Sequence, residues 1–385
     1  MSTQLPFSLI IKPVGSQCNL RCSYCYYINN DRQHKMTIDV LSEMIAQHIQ
    51  AQPEHTSYVD FIWHGGEPMM RGLSFYESVV SEQKKLKTNK KIKNTLQTNG
   101  TLITEAWATF FADNNFMIGI SIDGPELVHN IGRIDKRGDS SYEKTIKGLA
   151  LLNKYNVEFN TLTVINNRSF HRGKEIYRSK KEQGCTYLQF QPCIDHELDR
   201  ISDHDWSLSG SQWGTFLCDV FDEWCIEDIG TTYVQFFENC LAILMDYPSQ
   251  MCHHAPTCGQ QLIAEANGEV FSCDHFAYQS HSLGQCTDPS DKEYSSLKEM
   301  VNSSDQREFG ENKRNQLAQQ CLSCDFLPLC NGGCPKNRTL STQHNEPLNS
   351  LCIGYKQFFH YALPRLLKMV DAMKNGYSPM CHQLF

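Results

Sequence analysis

A parallel α/β sheet, wrapped into a partial and open (β/α)6 barrel of the TIM type, is the fold class the sequence predicts for its first half. Three observations carry it. Between residues 7 and 193, short apolar runs alternate with amphipathic stretches. Six such runs occur, and helical patterns follow the first five, the alternation of strand and crossover helix that a parallel sheet requires. The runs end in Gly, Asn, Asp or Cys, where such sheets place their functional loops. A doubly wound open sheet is the rival arrangement.

The strands, in order, are "FSLIIKPVG", "YVDFIWHGG", "NTLQTNG", "FMIGISIDG", "EFNTLTVI" and "TYLQFQPC". "TIDVLSEMIAQHI", "EAWATFFADN" and "YEKTIKGLALLNKY" are among the helices between them, each with apolar residues at helical spacing. The lysines of "KKLKTNKKIKN" read as a solvated helix end and loop. Residues 194–210 are polar and read as a linker, with helices following over 211–228 and 232–246. Beyond Met251 the chain is rich in cysteine and loops. It has one hairpin signal there, Asn267-Gly268 in "LIAEANGEVFSC", which suits a type I′ turn. The end, "YKQFFHYALPRLLKMVDAMKNG", is an amphipathic helix that Pro364 should interrupt. The domain division is therefore 1–200 for the barrel, 201–250 for a helical connection, 251–355 for a cysteine-rich unit and 356–385 for a terminal helix and tail.

The 385 residues are 40% hydrophobic and 20% charged, with a net charge of −8. That balance suits a globular protein and argues against nucleic acid as partner. No run of eighteen apolar residues suggests a membrane span, and the N-terminus lacks a secretory pattern. A cytoplasmic location is expected. Eighteen cysteines in such a compartment point to metal or redox chemistry rather than disulfides.

The first cysteine group is "CNLRCSYC", with Cys18, Cys22 and Cys25 at x3 and x2 spacing. A four-iron cluster ordinarily takes four thiolates. Three leave one iron open to a substrate-like ligand. Zinc is the competitor, with His34 as a conceivable fourth ligand at a distance that fits no finger spacing. "HGGEP", residues 64–68, ends the second strand; Gly65 and Gly66 would let backbone approach a ligand, and Glu67 would receive an ammonium group. "SIDG" ends the fourth strand and offers Ser121 and Asp123 as hydroxyl-binding groups, with Arg133 soon after.

The later cysteines include "CLSCDFLPLCNGGCP", whose x3-C-P finish resembles two-cluster ferredoxins, where the last cysteine ligates the other cluster. On that logic Cys321, Cys324 and Cys330 share a cluster completed by Cys352. Cys334 crosses over to join Cys252, Cys258 and Cys273. A zinc ribbon shares part of this spacing. Cys185, Cys193, Cys218, Cys225, Cys240, Cys286 and Cys381 remain, mostly as small buried apolar residues. Cys286 lies close enough in sequence to replace one of the assigned ligands.

CxxxCxxC followed by GGEP resembles the radical S-adenosylmethionine enzymes, and the later cysteines resemble the SPASM domain. Within that group the chain looks most like the anaerobic sulfatase-maturating enzymes, through "IKP…CNLRCSYCYY", "LQTNGTLI", "ISIDGP", "SCDHF" and "YKQFFHYALPRL". The resemblance implies three [4Fe-4S] clusters, one of which binds S-adenosylmethionine at its open iron. It implies cofactor contacts from Tyr24, Gly66, Glu67, Ser121, Arg133 and Ile194. It implies oxidation of a serine or cysteine in a sulfatase to Cα-formylglycine: a deoxyadenosyl radical takes hydrogen from Cβ, a base deprotonates the side chain, and an electron passes to an auxiliary cluster. Asp274 matches the catalytic aspartate, and His275 is the runner-up base. The substrate segment would be (Ser/Cys)-x-(Pro/Ala)-x-Arg, presented as an unfolded or peptide segment. A flavodoxin- or ferredoxin-like protein would be the reductant. A SPASM enzyme that crosslinks or epimerises another peptide is the alternative, and a non-catalytic electron-transfer or zinc adaptor is a third reading.

Overall fold

β1 (Ser8–Ile11), β2 (Tyr58–Trp63), β3 (Lys91–Thr98), β4 (Phe116–Ser121), β5 (Phe159–Ile165) and β6 (Tyr187–Pro192) lie side by side in chain order, every pair parallel. These positions come from a computed structural model that describes residues 5–27, 32, 34–195 and 205–380. A doubly wound sheet reverses its strand order at a switch point. This one does not. Its edge strands do not pair with each other, so the sheet is the open barrel expected.

Helices α1 (Ile38–Ala51), α2 (Leu73–Lys85), α3 (Glu105–Asp113), α4 (Glu126–Gly132), α5 (Tyr142–Lys154) and α6 (Gly173–Glu182) make the crossovers. Local chemistry sets their ends. Thr37 and Thr104 cap α1 and α3 by accepting from Val40 and Trp107 N–H, which satisfies donors the helix cannot. After α3 and α5, Asn115 and Asn156 take left-handed φ of 52°, a conformation asparagine tolerates at helix ends. α1 buries Leu41, Met44, Ile45 and Ile49, and its His48 ring meets Phe61 of β2 edge-on at 4.8 Å. Trp63, Phe75, Tyr76, Trp107 and Phe116 continue the aromatic core.

The structure departs from expectation in three places, and one further expectation falls outside the described residues. β3 starts at Lys91, inside the stretch read as loop, because Lys91 and Lys93 point outward while Asn94, Leu96 and Thr98 are buried. A short β7 (Tyr233–Val234) pairs with β6 between α7 (Gly210–Glu227) and α8 (Gln235–Leu244). The 194–210 stretch falls largely on residues 196–204, outside the described residues. The helix Cys352–Lys374 runs through Pro364 without a break. Pro364 is on its exposed side, where water can satisfy the carbonyl the ring leaves unbonded. The opposite stripe, Phe358, Phe359, Ala362, Leu366 and Met369, is buried, and Phe358 packs on Phe221 of α7 and Phe237 of α8.

The hairpin signal is correct and has a larger role than a local turn. β8 (Gln261–Ala264) and β9 (Glu269–Phe271) are antiparallel, and β10 (Ser282–Gln285) adds to β9. β8 also pairs in parallel with β1, from Ser8↔Gln261 to Ile11↔Ala264. The cysteine-rich region thus extends the barrel's own sheet, in the order β10-β9-β8-β1 through β7.

Candidate active site

Two loops at the C-terminal edge of the sheet are locked together through backbone. Gly66 N–H donates to Gly15 O and Glu67 N–H to Gln17 O, both at 2.8 Å, just before Cys18. A Cβ on Gly66 would lie 2.1 Å from Gln17 O. The glycine is therefore required by the cysteine loop itself.

Glu67 is fully buried. Its Oε1 accepts from Met69 N–H at 3.1 Å and the Thr98 hydroxyl at 2.9 Å, and Oε2 from Asn99 N–H at 2.8 Å. Burial pushes its carboxyl up to about 7 against the pull of these three donors. Three of the roughly four acceptor sites of this carboxylate are taken by the chain. It ties the end of β3 to the GGEP loop.

Cys18, Cys22 and Cys25 come together: Cys25 acts on Cys18, and both Cys18 and Cys25 act on Cys22. Burial, with these neighbours, pushes the Cys18 and Cys22 thiols up to about 12. Cys18 Sγ accepts from Leu20 N–H at 3.4 Å and Asn99 Nδ2 at 3.8 Å, and Arg133 faces Cys22. The donor set fits an iron–sulfur cluster: three thiols outside any disulfide, with two N–H groups aimed at the Cys18 sulfur, where a cationic centre would favour the thiolates. Among the described residues no group of three or more His, Cys, Asp or Glu is placed to hold a single metal ion. His34 is exposed and is not among the groups acting on Cys18 or Cys22.

Ser121 ends β4, almost buried, and accepts from Gln97 Nε2 at 3.1 Å. Asp123 is committed to the protein. Its Oδ2 lies 3.0 Å from Arg133 Nε and accepts from the Tyr24 hydroxyl, and its Oδ1 takes Val164 N–H at 3.0 Å. It orients Arg133 and Tyr24 beside Cys22. Ile194 is half-buried after β6, packed on the core at the same sheet edge.

Asp274 reaches this edge from the other half of the chain. It opens a short turn, Asp274–Phe276, after β9. Its Oδ1 is 2.8 Å from Lys12 Nζ at the end of β1, and its Oδ2 accepts from the Tyr26 hydroxyl. Burial works to raise the carboxyl, but Lys12, His64 and His275 hold it well below the ordinary carboxylate range. Tyr26 in turn lies beside Cys25, so Asp274 stands between the first cysteine group and Cys273. His275 turns away, with Nδ1 3.6 Å from Cys334 Sγ.

The later cysteines fall into two electrostatic neighbourhoods. Cys334 acts on Cys252, Cys258 and Cys273, and Lys313 reaches the same group, its Nζ donating to Cys252 O at 2.7 Å. Cys321, Cys324 and Cys352 act on Cys330. Cys286 belongs to neither; it is fully buried, and the charged group that acts on it is Glu43.

Residues 13–179 match the Radical SAM superfamily, and residues 252–325 match an iron-sulfur cluster-binding domain, SPASM. The serine-type anaerobic sulfatase-maturating enzyme of Bacteroides thetaiotaomicron is 39% identical, over 97% of this chain and 94% of that one. This chain belongs to the anaerobic sulfatase-maturating enzymes. The cysteine-type enzyme of Clostridium perfringens is 34% identical, over 96% of this chain and all of that one. The solved structure described as native anSMEcpe with bound AdoMet and Kp18Cys peptide superposes with a TM-score of 0.87 at 33% identity, covering 95% of this chain and 99% of that chain. The chain is thus a radical SAM enzyme of the sulfatase-maturating family. Within it, Lys12, Tyr26, His64 and Asn99 are site residues that the sequence reading passed over. All four lie inside motifs quoted above without a role of their own, and Lys12 is also an ammonium group directly after the buried run "SLII".

Proposed function

We propose that this enzyme oxidises a serine or cysteine in a sulfatase segment to Cα-formylglycine. One observation carries the reading: a carboxylate next in sequence to Cys273 is held at the barrel edge by Lys12 and Tyr26, beside the first cysteine group. When bound, S-adenosylmethionine and the cluster on Cys18, Cys22 and Cys25 supply a deoxyadenosyl radical for hydrogen abstraction from the substrate Cβ. Gly66, Glu67 and Tyr24 would meet the cofactor through backbone, and Ser121 and Arg133 through side chains. Ile194 would pack near the adenine. Cys252, Cys258, Cys273 and Cys334 would hold one auxiliary cluster; Cys321, Cys324, Cys330 and Cys352 would hold the other.

Asp274 accepts the proton of the substrate hydroxyl or thiol, a step that needs a base within about 3 Å of it. One of its oxygens accepts from Tyr26 and the other is ion-paired with Lys12, so no conformational search precedes the transfer. The substrate would be an unfolded segment of the form (Ser/Cys)-x-(Pro/Ala)-x-Arg, and the electron donor a flavodoxin- or ferredoxin-like protein. A cytoplasmic location and a division near residues 200, 250 and 355 belong to the same reading. Among the described residues no helix is long and apolar enough to cross a membrane.

The test is anaerobic. Reconstituted protein is incubated with reductant, S-adenosylmethionine and paired Ser-x-Pro-x-Arg and Cys-x-Pro-x-Arg peptides, and mass spectrometry reads the products. An aldehyde on either peptide supports the reading; 5′-deoxyadenosine with both peptides intact moves the substrate to another peptide modification.

A further inference from the structure

We propose that Lys12 is a positioning residue for this reaction: it sets the Asp274 carboxylate for the substrate proton, with Glu265 as its second anchor. The inference rests on reading Asp274 as the base. Lys12 is 0% exposed, and a buried ammonium is costly unless paired. Its Nζ lies 2.8 Å from Asp274 Oδ1, 3.8 Å from Glu265 Oε1 and 3.5 Å above the Tyr27 ring centroid. A methionine or leucine would fill the same space with less cost in solvation, so packing alone does not account for the charge.

The two acids differ in what else holds them. Glu265 follows β8, and both its oxygens accept from the Tyr27 hydroxyl, at 2.8 and 2.9 Å. Arg32 Nη1 adds a third contact at 3.5 Å. Glu265 is therefore fixed without Lys12. Asp274 stands on a three-residue turn, with Lys12 at one oxygen and Tyr26 at the other. Without Lys12 only one oxygen is held, and the carboxylate plane is free to rotate out of line with the substrate.

The same geometry manages the charge after transfer. The substrate O–H or S–H bond breaks, its electron pair stays on the heteroatom, and the proton bonds to an Asp274 oxygen. Asp274 is then neutral. Lys12 would be an unpaired buried cation but for Glu265, whose charge lies on its other side. The ammonium remains paired before and after the step.

The experiment compares reconstituted Lys12→Met, Lys12→Arg, Lys12→Met/Glu265→Gln and Asp274→Asn holoenzymes. Lys12→Met should keep its iron and a peptide KM within about threefold, because the carboxylate acts on the proton and not on binding. Formylglycine formed per 5′-deoxyadenosine should fall at least roughly tenfold. Lys12→Arg should recover that ratio to within about threefold, since a guanidinium can meet a carboxylate at the same place. Lys12→Met should also lower the thermal midpoint of the holoenzyme, and the added Glu265→Gln should restore part of it, because Glu265 then keeps only its more exposed cationic partner, Arg32. The double variant also supplies a folded protein if the single one fails to fold, with the same lowered ratio expected. A wild-type ratio in either Lys12→Met protein, no recovery with arginine, or no coupling to Glu265 overturns the proposal. Asp274→Asn separates the two readings: full product there removes the base, whereas loss there with wild-type Lys12→Met removes only Lys12.

Discussion

Leu9 of β1 and Leu262 of β8 are parallel register partners, although 253 positions separate them in the chain. That pairing carries the hairpin, and with it Cys273 and Asp274, to the edge where Lys12 follows β1. The catalytic geometry proposed here is thus a consequence of sheet continuation. A domain tethered only by a linker would leave the base and the first cysteine group free to drift apart.

Leu262 is fully buried at this seam. Leu262→Ala should destabilise the protein by about 2–5 kcal/mol, the usual range for a core leucine, and lower product formed per 5′-deoxyadenosine. Chemical denaturation and product analysis check it; a stable variant with unchanged coupling would show that the seam does not position the base.

Gly66→Ala should act on the first cluster alone. The added methyl group meets Gln17 O at 2.1 Å, so the loop leading to Cys18 must move. We expect the iron of that cluster to be lost, with deoxyadenosine formation falling by roughly a hundredfold or more, while the auxiliary iron stays. Iron analysis and spectroscopy distinguish the sites. Full S-adenosylmethionine cleavage by the variant would refute the close-contact argument.

Cys286→Ala and Cys273→Ala test the ligand sets. Cys286 is remote from both later cysteine groups, whereas Cys273 is acted on by Cys334 and Cys252. The first variant should keep all its iron, and the second should lose one auxiliary cluster. Iron loss in Cys286→Ala would reassign a ligand.

His48 predicts a pH dependence away from the site. It is fully buried, its Nε2–H donates to Asp60 O at 3.0 Å, and burial pushes its pKa down from 6.5 to about 4. A depressed folded pKa means that the unfolded chain binds the proton first. The stability this group contributes is therefore present above about 6.5 and is lost as pH falls toward 4. The shift corresponds to about 3 kcal/mol. His48→Gln should flatten that part of the stability profile in denaturant titrations; an unchanged slope would contradict the assignment.

Six strands and the cysteine groups were legible because each is a local pattern: an apolar run, a thiol spacing, an Asn-Gly turn. β7 is two residues long and leaves no periodicity to read. Pro364 misled because its effect depends on which face of the helix it occupies. The β1–β8 pairing and the commitment of Glu67 and Asp123 to the chain depend on partners distant in sequence. Lys12 was visible as an oddity, but its partner Asp274 lies 262 positions onward, beyond any local rule.

The most direct test uses Asp274→Asn with a peptide deuterated at the serine or cysteine Cβ. The account requires deuterium to appear in 5′-deoxyadenosine while formylglycine is lost, since abstraction does not need the carboxylate and the later deprotonation does. Aldehyde formed at the wild-type ratio to 5′-deoxyadenosine would contradict it.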